Sequence, residues 1–154
     1  LSQNIQKKNI SLHNFALGNS DQEVFLSRPS SDLCGQIIKE KTPNSVKVYL
    51  RKLDNFCKDY AIHSIDLLKL DVEGNELDVL DGAKNLLEQN LVKAILLECD
   101  FNPQDTQHSY FIDVFNYLKN KNFCFHGLDD SVRYSASYGI GFCNALFLNS
   151  TRFD

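Results

Sequence analysis

Two carboxylates and a glycine mark the point where an apolar, strand-like run gives way to a helical pattern, in residues 67–80 (LLKLDVEGNELDVL). Asp71 and Glu73 follow the apolar run, and Gly74 allows a tight turn there. Glu98 follows the next apolar run along the chain. In open α/β sheets ligands bind beyond the carboxyl ends of the strands, so we expect the three carboxylates to lie on one rim.

Such a rim of carboxylates suits proton transfer. A carboxylate can take the proton of a hydroxyl group, and neighbouring carboxylates raise one another's pKa towards neutrality. The same side chains could instead bind a divalent ion that activates the hydroxyl, although no histidine pair has metal-ligand spacing to indicate one. A structural interpretation also remains open, in which Asp71 caps the following helix and Glu73 favours its positive end. Asp100 is expected to be a solvated loop residue.

The elements that position these side chains follow from the spacing of apolar residues. Strands are predicted at 10–15, 23–27, 46–50, 65–70, 92–97, 123–125 and 145–148, and helices at 53–60, 76–89 and 110–120. The alternation of strands and helices predicts an α/β fold with a mostly parallel sheet, in which 65–70 lies beside 92–97. The last strand is expected to be antiparallel. Asp54 is expected to cap the helix that it begins.

Length and composition restrict the class of protein. The 154 residues predict a single domain, residues 1–154. A net charge of -4 without a basic cluster disfavours nucleic acid and anionic membranes as partners. No apolar run approaches the roughly 18 residues of a membrane span. Five widely spaced cysteines, Cys34 among them, without a CxxC pair predict reduced thiols and a cytoplasmic location, with a catalytic cysteine as the alternative.

A family resemblance rests on the central stretch IDLLKLDVEGNELDVLDGAKNLLEQNLVKAILLEC. It resembles the central motif of FkbM-type methyltransferases, in which a strand ends in Lys-x-Asp-Val-Glu-Gly, a helix carries Leu-x-Gly-Ala and a strand ends in glutamate. NFALGNSDQEV is similar to the family's segment after its third strand. VKVYLRKLDNF resembles its Val-x-Thr-Leu-Asp segment, with Lys52 in the place of the threonine. The motif positions here are Lys69, Asp71, Val72, Glu73, Gly74, Leu80, Gly82, Ala83 and Glu98.

The resemblance implies a class I, Rossmann-like fold that uses S-adenosylmethionine and methylates a hydroxyl of a sugar or another small molecule. It places Asn14, Ala16 and Leu17 on the adenine side of the cofactor, with Asp71 as a further cofactor contact. Asp71, Glu73 and Glu98 are then the catalytic candidates. A catalytically inactive binding or scaffold domain is the alternative function.

The family's glycine-rich cofactor motif and its ribose-binding acidic residue would lie upstream of Leu1. We therefore expect the first two strands of the sheet to be missing from this chain. The chain alone is expected to bind S-adenosylmethionine weakly, because backbone amides of the missing motif supply much of the affinity. The sheet edge that those strands leave exposed predicts a possible homodimer.

Overall fold

The chain forms two β-sheets and four short helices within residues 9–27, 35–38, 40–105, 107–132 and 139–153, which are the residues that this computed structural model describes. The strands are β1 (Ala16–Leu17), β2 (Gln22–Ser27), β3 (Ile37–Ile38), β4 (Ser45–Arg51), β5 (Ile65–Leu70), β6 (Val92–Asp100), β7 (Ser109–Tyr110), β8 (Phe123–Asp129) and β9 (Phe142–Asn149). The helices are α1 (Leu53–Asp59), α2 (Glu76–Gly82), α3 (Lys84–Glu88) and α4 (Phe111–Lys119).

The first sheet has the strand order β1-β4-β2-β3. β1 pairs parallel with β4, whereas β2 pairs antiparallel with both β3 and β4. Leu50 is the one fully buried residue among the described residues of these strands, and the others are half-buried or exposed. This sheet is therefore a thin layer rather than the centre of a core.

The second sheet has the order β5-β6-β9-β8, with the short β7 beside the end of β6. β6 pairs parallel with β5 and β7 and antiparallel with β9, which also pairs antiparallel with β8. The inner face of this sheet forms the hydrophobic core with the helices. Fully buried core side chains include Leu70, Leu80, Leu87, Ile95, Leu97, Leu118 and Phe147.

The prediction of a mostly parallel, Rossmann-like sheet is wrong, although the predicted parallel pairing of β5 with β6 is confirmed. The strands form two mixed sheets, and the ladders β2–β4, β6–β9 and β8–β9 are all antiparallel. The physical reason is that β9 enters the sheet directly beside β6, so β8 can pair only on its far side. Apolar spacing predicts where strands occur but does not specify their partners or directions.

Helix α2 joins the two sheets through a very close backbone approach. A Cβ atom on Gly82 would collide with the carbonyl oxygen of Gly18, just after β1. The Asn19 side chain also donates a hydrogen bond of 2.9 Å to Asp78 in α2. The glycine of the Leu-x-Gly-Ala pattern thus allows α2 to pack against the first sheet.

Two predicted elements differ in detail. The backbone of residues 10–15 is not a strand, and pairing begins only at Ala16. The predicted helix 76–89 is broken at Ala83 into α2 and α3. Asp54, expected to cap its own helix, instead accepts the backbone N–H groups of Asn85 and Leu86 at 2.9 and 3.0 Å. These bonds satisfy free N–H groups at the start of α3, which explains why a second helix begins there.

The four described cysteines, Cys57, Cys99, Cys124 and Cys143, are free thiols, as predicted, and Cys34 lies outside the described residues. Among the described helices, α4 is the longest at 9 residues, and none is long and apolar enough to cross a bilayer.

Candidate functional site

The turn between β5 and α2, residues 71–75, has an unusual backbone. Glu73 and Gly74 both have positive φ angles, of 53° and 90°. A non-glycine residue in this left-handed region costs about 1–2 kcal/mol. Strain of this kind is retained where surrounding contacts enforce it, and it occurs often at functional sites.

The contact that enforces the turn is made by Glu76, whose side chain is completely buried. Its Oε1 accepts the backbone N–H groups of Val72 and Gly74, both at 3.3 Å. Its Oε2 accepts the N–H of Ser109 at 3.1 Å and the Ser109 hydroxyl at 2.7 Å. A buried carboxylate with four donors is well satisfied, and it ties the turn to β7.

A cavity of about 330 Å³ opens beside this turn. One wall is apolar and comes from the first sheet and the residues flanking it, and the other comes from the turn. The lining residues are Phe15, Ala16, Leu17, Leu26, Gly35, Ile37, Asp71, Val72, Glu73 and Asn75. The size and the mixture of an apolar wall with a few polar groups are typical of small-molecule sites.

The cavity brings together four of the residues predicted to bind the cofactor or to act in catalysis, namely Ala16, Leu17, Asp71 and Glu73. Asn14 is exposed and does not line it. The Asp71 carboxylate lies 3.8 Å from the Lys69 ammonium group. The capping interpretation of Asp71 is wrong, because the N-cap of α2 is Asn75 and no side chain caps it.

Glu98, the third predicted carboxylate, does not line the cavity, but it interacts electrostatically with Asp71 and Glu73, which do. Its side chain is 18% exposed. Burial raises the pKa of Glu98, and the charge of Asp71 raises it further. His108 and Lys69 act in the opposite direction, and Glu73 adds a smaller upward effect on this pKa. The surroundings of Glu98 therefore disfavour its ionised form.

The loop after β6 contains residues that the sequence analysis misjudged. Asp100 is completely buried at the end of β6, whereas a solvated loop residue was expected. The carboxylate loses contact with water because β7 and β9 flank the end of β6 on both sides. His108 packs its ring flat against Phe142, with ring centres 4.8 Å apart.

Asp100, Asp105 and His108 are the described residues closest to a metal-binding arrangement, since their ligand atoms all lie within 4.8 Å of one another. Both carboxylates, however, already accept hydrogen bonds from backbone N–H groups of the loop. Asp100 accepts the N–H of Asn102, and Asp105 accepts the N–H groups of Gln107 and His108. These hydrogen bonds hold the loop in place.

Glu76 and His108 are the site residues that sequence reasoning missed. Glu76 precedes Leu80 by four residues, so it belongs to the inward face of the helical pattern, where a charge is costly. A charged residue on an apolar helix face could therefore have indicated from the sequence that Glu76 has a special role. His108 gave no comparable signal, because its neighbours come from distant parts of the chain.

Comparison with known proteins agrees with the motif. A sequence profile described as "Methyltransferase FkbM domain" matches residues 2–125, well over half of the chain. The 2-O-methyltransferase NoeI of Sinorhizobium fredii is 33% identical over 60 residues, which make up 39% of this chain and 23% of that protein. No solved structure matches the chain.

Proposed function

Because the chain belongs to the FkbM methyltransferase family, we propose that it takes part in S-adenosylmethionine-dependent methylation of a hydroxyl group on a sugar or another small molecule. The observation that carries the proposal is the cavity of about 330 Å³ between the first sheet and the turn 71–75. It joins the apolar residues Ala16 and Leu17 to the carboxylates Asp71 and Glu73 in one site.

The cavity has the chemistry that a sulfonium nucleoside requires. Ala16, Leu17 and Ile37 offer an apolar surface for a flat purine ring, while Asp71 and Glu73 offer oxygens that accept hydrogen bonds from ribose hydroxyls. Both carboxylates also complement a positive charge. When bound, S-adenosylmethionine supplies an electrophilic methyl group on a positively charged sulfur.

The protein's own contribution is to orient the acceptor and to receive its proton. A hydroxyl oxygen becomes a good nucleophile only when a base removes the proton. Asp71 and Glu73 line the cavity, and Asp71 also faces the Lys69 ammonium group. Glu98 shares a face of the second sheet with Lys69 and Asn144, and burial raises its pKa, so we assign it the proton-accepting role and give the other two carboxylates to binding.

The acceptor is proposed to be polyhydroxylated. Lys69 donates a hydrogen bond of 2.9 Å to Asn144 on β9, and both lie on the same face of the sheet as Glu98. Amide, ammonium and carboxylate groups side by side match the alternating donors and acceptors of a sugar ring. The name of the relative, a 2-O-methyltransferase, supports an oxygen acceptor.

Transfer of a radiolabelled methyl group tests the proposal. The natural protein that contains residues 1–154 is incubated with methyl-labelled S-adenosylmethionine and a panel of methyl glycosides of common hexoses and deoxyhexoses. Label should appear in a glycoside, and Glu98→Gln should reduce turnover by about 10²-fold or more, the scale of acid–base catalysis. The matched control, Glu40→Gln, changes an exposed glutamate and should leave turnover unchanged.

Binding without transfer would favour the alternative function, an inactive binding domain. That result would consist of saturable S-adenosylmethionine binding, weakened by Asp71→Asn, with no labelled product from any acceptor. Equal turnover of the Glu98→Gln variant and the unmodified protein would exclude Glu98 as the base.

A further inference from the structure

His108 lies between two carboxylates, one at each ring nitrogen. Its Nδ1 is 3.1 Å from Asp105 Oδ1, and its Nε2 is 3.7 Å from Glu98 Oε2. The His108 and Asp105 side chains are only 8% and 16% exposed. Three polar side chains thus form a continuous line that ends at the base assigned above.

The imidazole ring is held by Asp105 at one ring nitrogen and by Phe142 on one face. Asp105 Oδ1 accepts the backbone N–H of His108 as well as facing its ring, and the ring stacks on Phe142 at an interplanar angle of 11°. The next residue, Ser109, is bonded through its N–H and hydroxyl to Glu76. The buried Glu76 carboxylate therefore links the loop that carries His108 to the strained turn 71–75.

Charged groups among the described residues act on this line from both sides. Facing Glu98 are Asp71, Glu73, Lys69 and His108, of which the first two disfavour and the last two favour its ionised form.

His108 itself faces Asp105 and Glu98 directly, and the buried Asp100 carboxylate comes within 4.8 Å. With Nδ1 turned towards Asp105, Nε2 is the ring atom available to Glu98. A separation of 3.7 Å exceeds a direct hydrogen bond, but such contacts often tighten only when substrate is bound.

We propose that His108, held by Asp105, is a positioning residue that orients the Glu98 carboxylate and receives the proton that Glu98 takes from the acceptor. The inference rests on the proposed function. As the acceptor oxygen bonds to the methyl carbon, the C–S electron pair stays on sulfur and the hydroxyl proton moves to Glu98. The proton can then pass to Nε2 of His108, which returns Glu98 to its ionised form.

The kinetic test compares His108→Gln and Asp105→Asn with the unmodified protein in the labelled methyl-transfer assay. Asn at 105 keeps an oxygen that accepts the two backbone N–H bonds, so it removes the charge while preserving the loop. We expect kcat to fall at least about tenfold in both variants, part of the contribution of acid–base catalysis, with little change in KM. The acidic limb of the pH–rate profile should move to higher pH in His108→Gln, because the imidazolium form of His108 lowers the pKa of Glu98, whereas the neutral form is the one that receives the proton.

Three controls make the outcome decisive. His126→Gln changes an exposed histidine on β8 and should leave kcat and the pH profile unchanged. In a Glu98→Gln background, His108→Gln should cause no further loss, since both changes act on one proton. Activity that is abolished by a chelator and restored by Mn²⁺ would overturn the proposal in favour of a bound cation.

A measurement that needs no turnover separates this inference from the proposed function. The Glu98 carboxyl ¹³C signal is titrated by NMR in the 154-residue chain, with and without His108→Gln. Its midpoint should rise in the variant, and an unchanged midpoint would overturn the coupling even if methyl transfer is confirmed. Absence of methyl transfer together with a shifted midpoint would instead count against the proposed function alone.

Discussion

The two sheets differ in depth of burial, and the difference matches the parts that they play in the site. In the second sheet β9 alternates half-buried with buried residues along its length, and six of the nine residues of β6 are buried. The first sheet has one fully buried residue, Leu50, among those described, and two of its strands are only two residues long. The second sheet, called the deep sheet below, can hold charged side chains in fixed positions. The first sheet, called the thin sheet, supplies an apolar wall.

The charged groups of the site follow this division. Asp71, Glu98 and the Asp105–His108 pair lie at the end or edge of the deep sheet, while the first sheet contributes Ala16, Leu17, Leu26 and Ile37 to the cavity. Precise placement matters more for proton transfer than for covering a flat ring. A site of this kind therefore needs a rigid side that holds the charged groups. The side that covers the flat ring can be less well packed.

The comparison predicts the largest effect for truncation in the deep core. Phe147→Ala should destabilise the protein by about 3–5 kcal/mol, the usual cost of emptying a buried aromatic site. Phe25→Ala, the matched change in the half-buried β2, should cost only about 1–2 kcal/mol. Urea denaturation of both variants measures the two values. Similar losses from the two substitutions would mean that the thin sheet is as important to stability as the core.

Glu76→Gln tests the connection between the turn and the deep sheet. Glutamine has one acceptor oxygen where glutamate has two, so buried N–H donors of Val72, Gly74 or Ser109 lose a partner. We expect a loss of about 2–3 kcal/mol in the free energy of unfolding. Glu23→Gln in the first sheet breaks only an exposed ion pair with Lys47 and should change stability by less than about 1 kcal/mol.

Gly82→Ala tests how the two sheets are joined. The added Cβ would collide with the carbonyl oxygen of Gly18, a backbone atom that cannot rotate away. Overpacking of this kind costs about 1–3 kcal/mol, and here it should also move α2 away from β1. Gly127→Ala is the control, because a Cβ there meets no atom within 4 Å. Thermal unfolding and hydrogen exchange at Ala16 and Leu17 provide the measurements, and equal behaviour of the two variants would contradict the close approach.

The smallest expected effect is a gain in stability from Glu98→Gln. Burial raises the pKa of Glu98 from the ordinary value of 4.5, so folding disfavours its ionised form. The folded state binds this proton more tightly than the unfolded state, and the stability that the bound proton provides is lost as pH rises through the raised pKa. The variant should therefore melt at a higher temperature than the unmodified protein at pH 7, with the difference shrinking below about pH 4.5.

The comparison partner for this measurement is Glu40→Gln, which should show no such pH-dependent difference. A lower melting temperature for Glu98→Gln at neutral pH would mean that the carboxylate stabilises the fold. Its disfavoured ionisation could then not be the signature of a functional group.

Much of the local structure follows from apolar spacing alone. Strands β2, β4, β5 and β6 and helices α1 and α4 occur close to their predicted bounds, because each has a clear apolar period or, in β5 and β6, a short apolar run. The end of the strand 65–70 and the turn after it were also predictable. The turn is encoded by a glycine and two carboxylates directly after an apolar run.

The division of one expected sheet into two could not be predicted in the same way. Strand pairing depends on which hydrogen-bonding edges meet in space, and a strand's own residues do not encode its neighbour. The break at Ala83 has a similar origin. It depends on Asp54, about 30 residues away, accepting the N–H groups that start α3.

The sequence by itself determined the family motif, the strand-turn-helix around Asp71 and Glu73, and the presence of a third carboxylate at Glu98. Only the tertiary structure decided that Glu76 is the buried carboxylate that holds the turn, that Asp100 is buried, and that His108 faces Glu98. The reason is physical: the role of an ionisable group depends on its burial and on the charges around it. Those neighbours come from other strands and loops, so their arrangement exists only after the chain has folded.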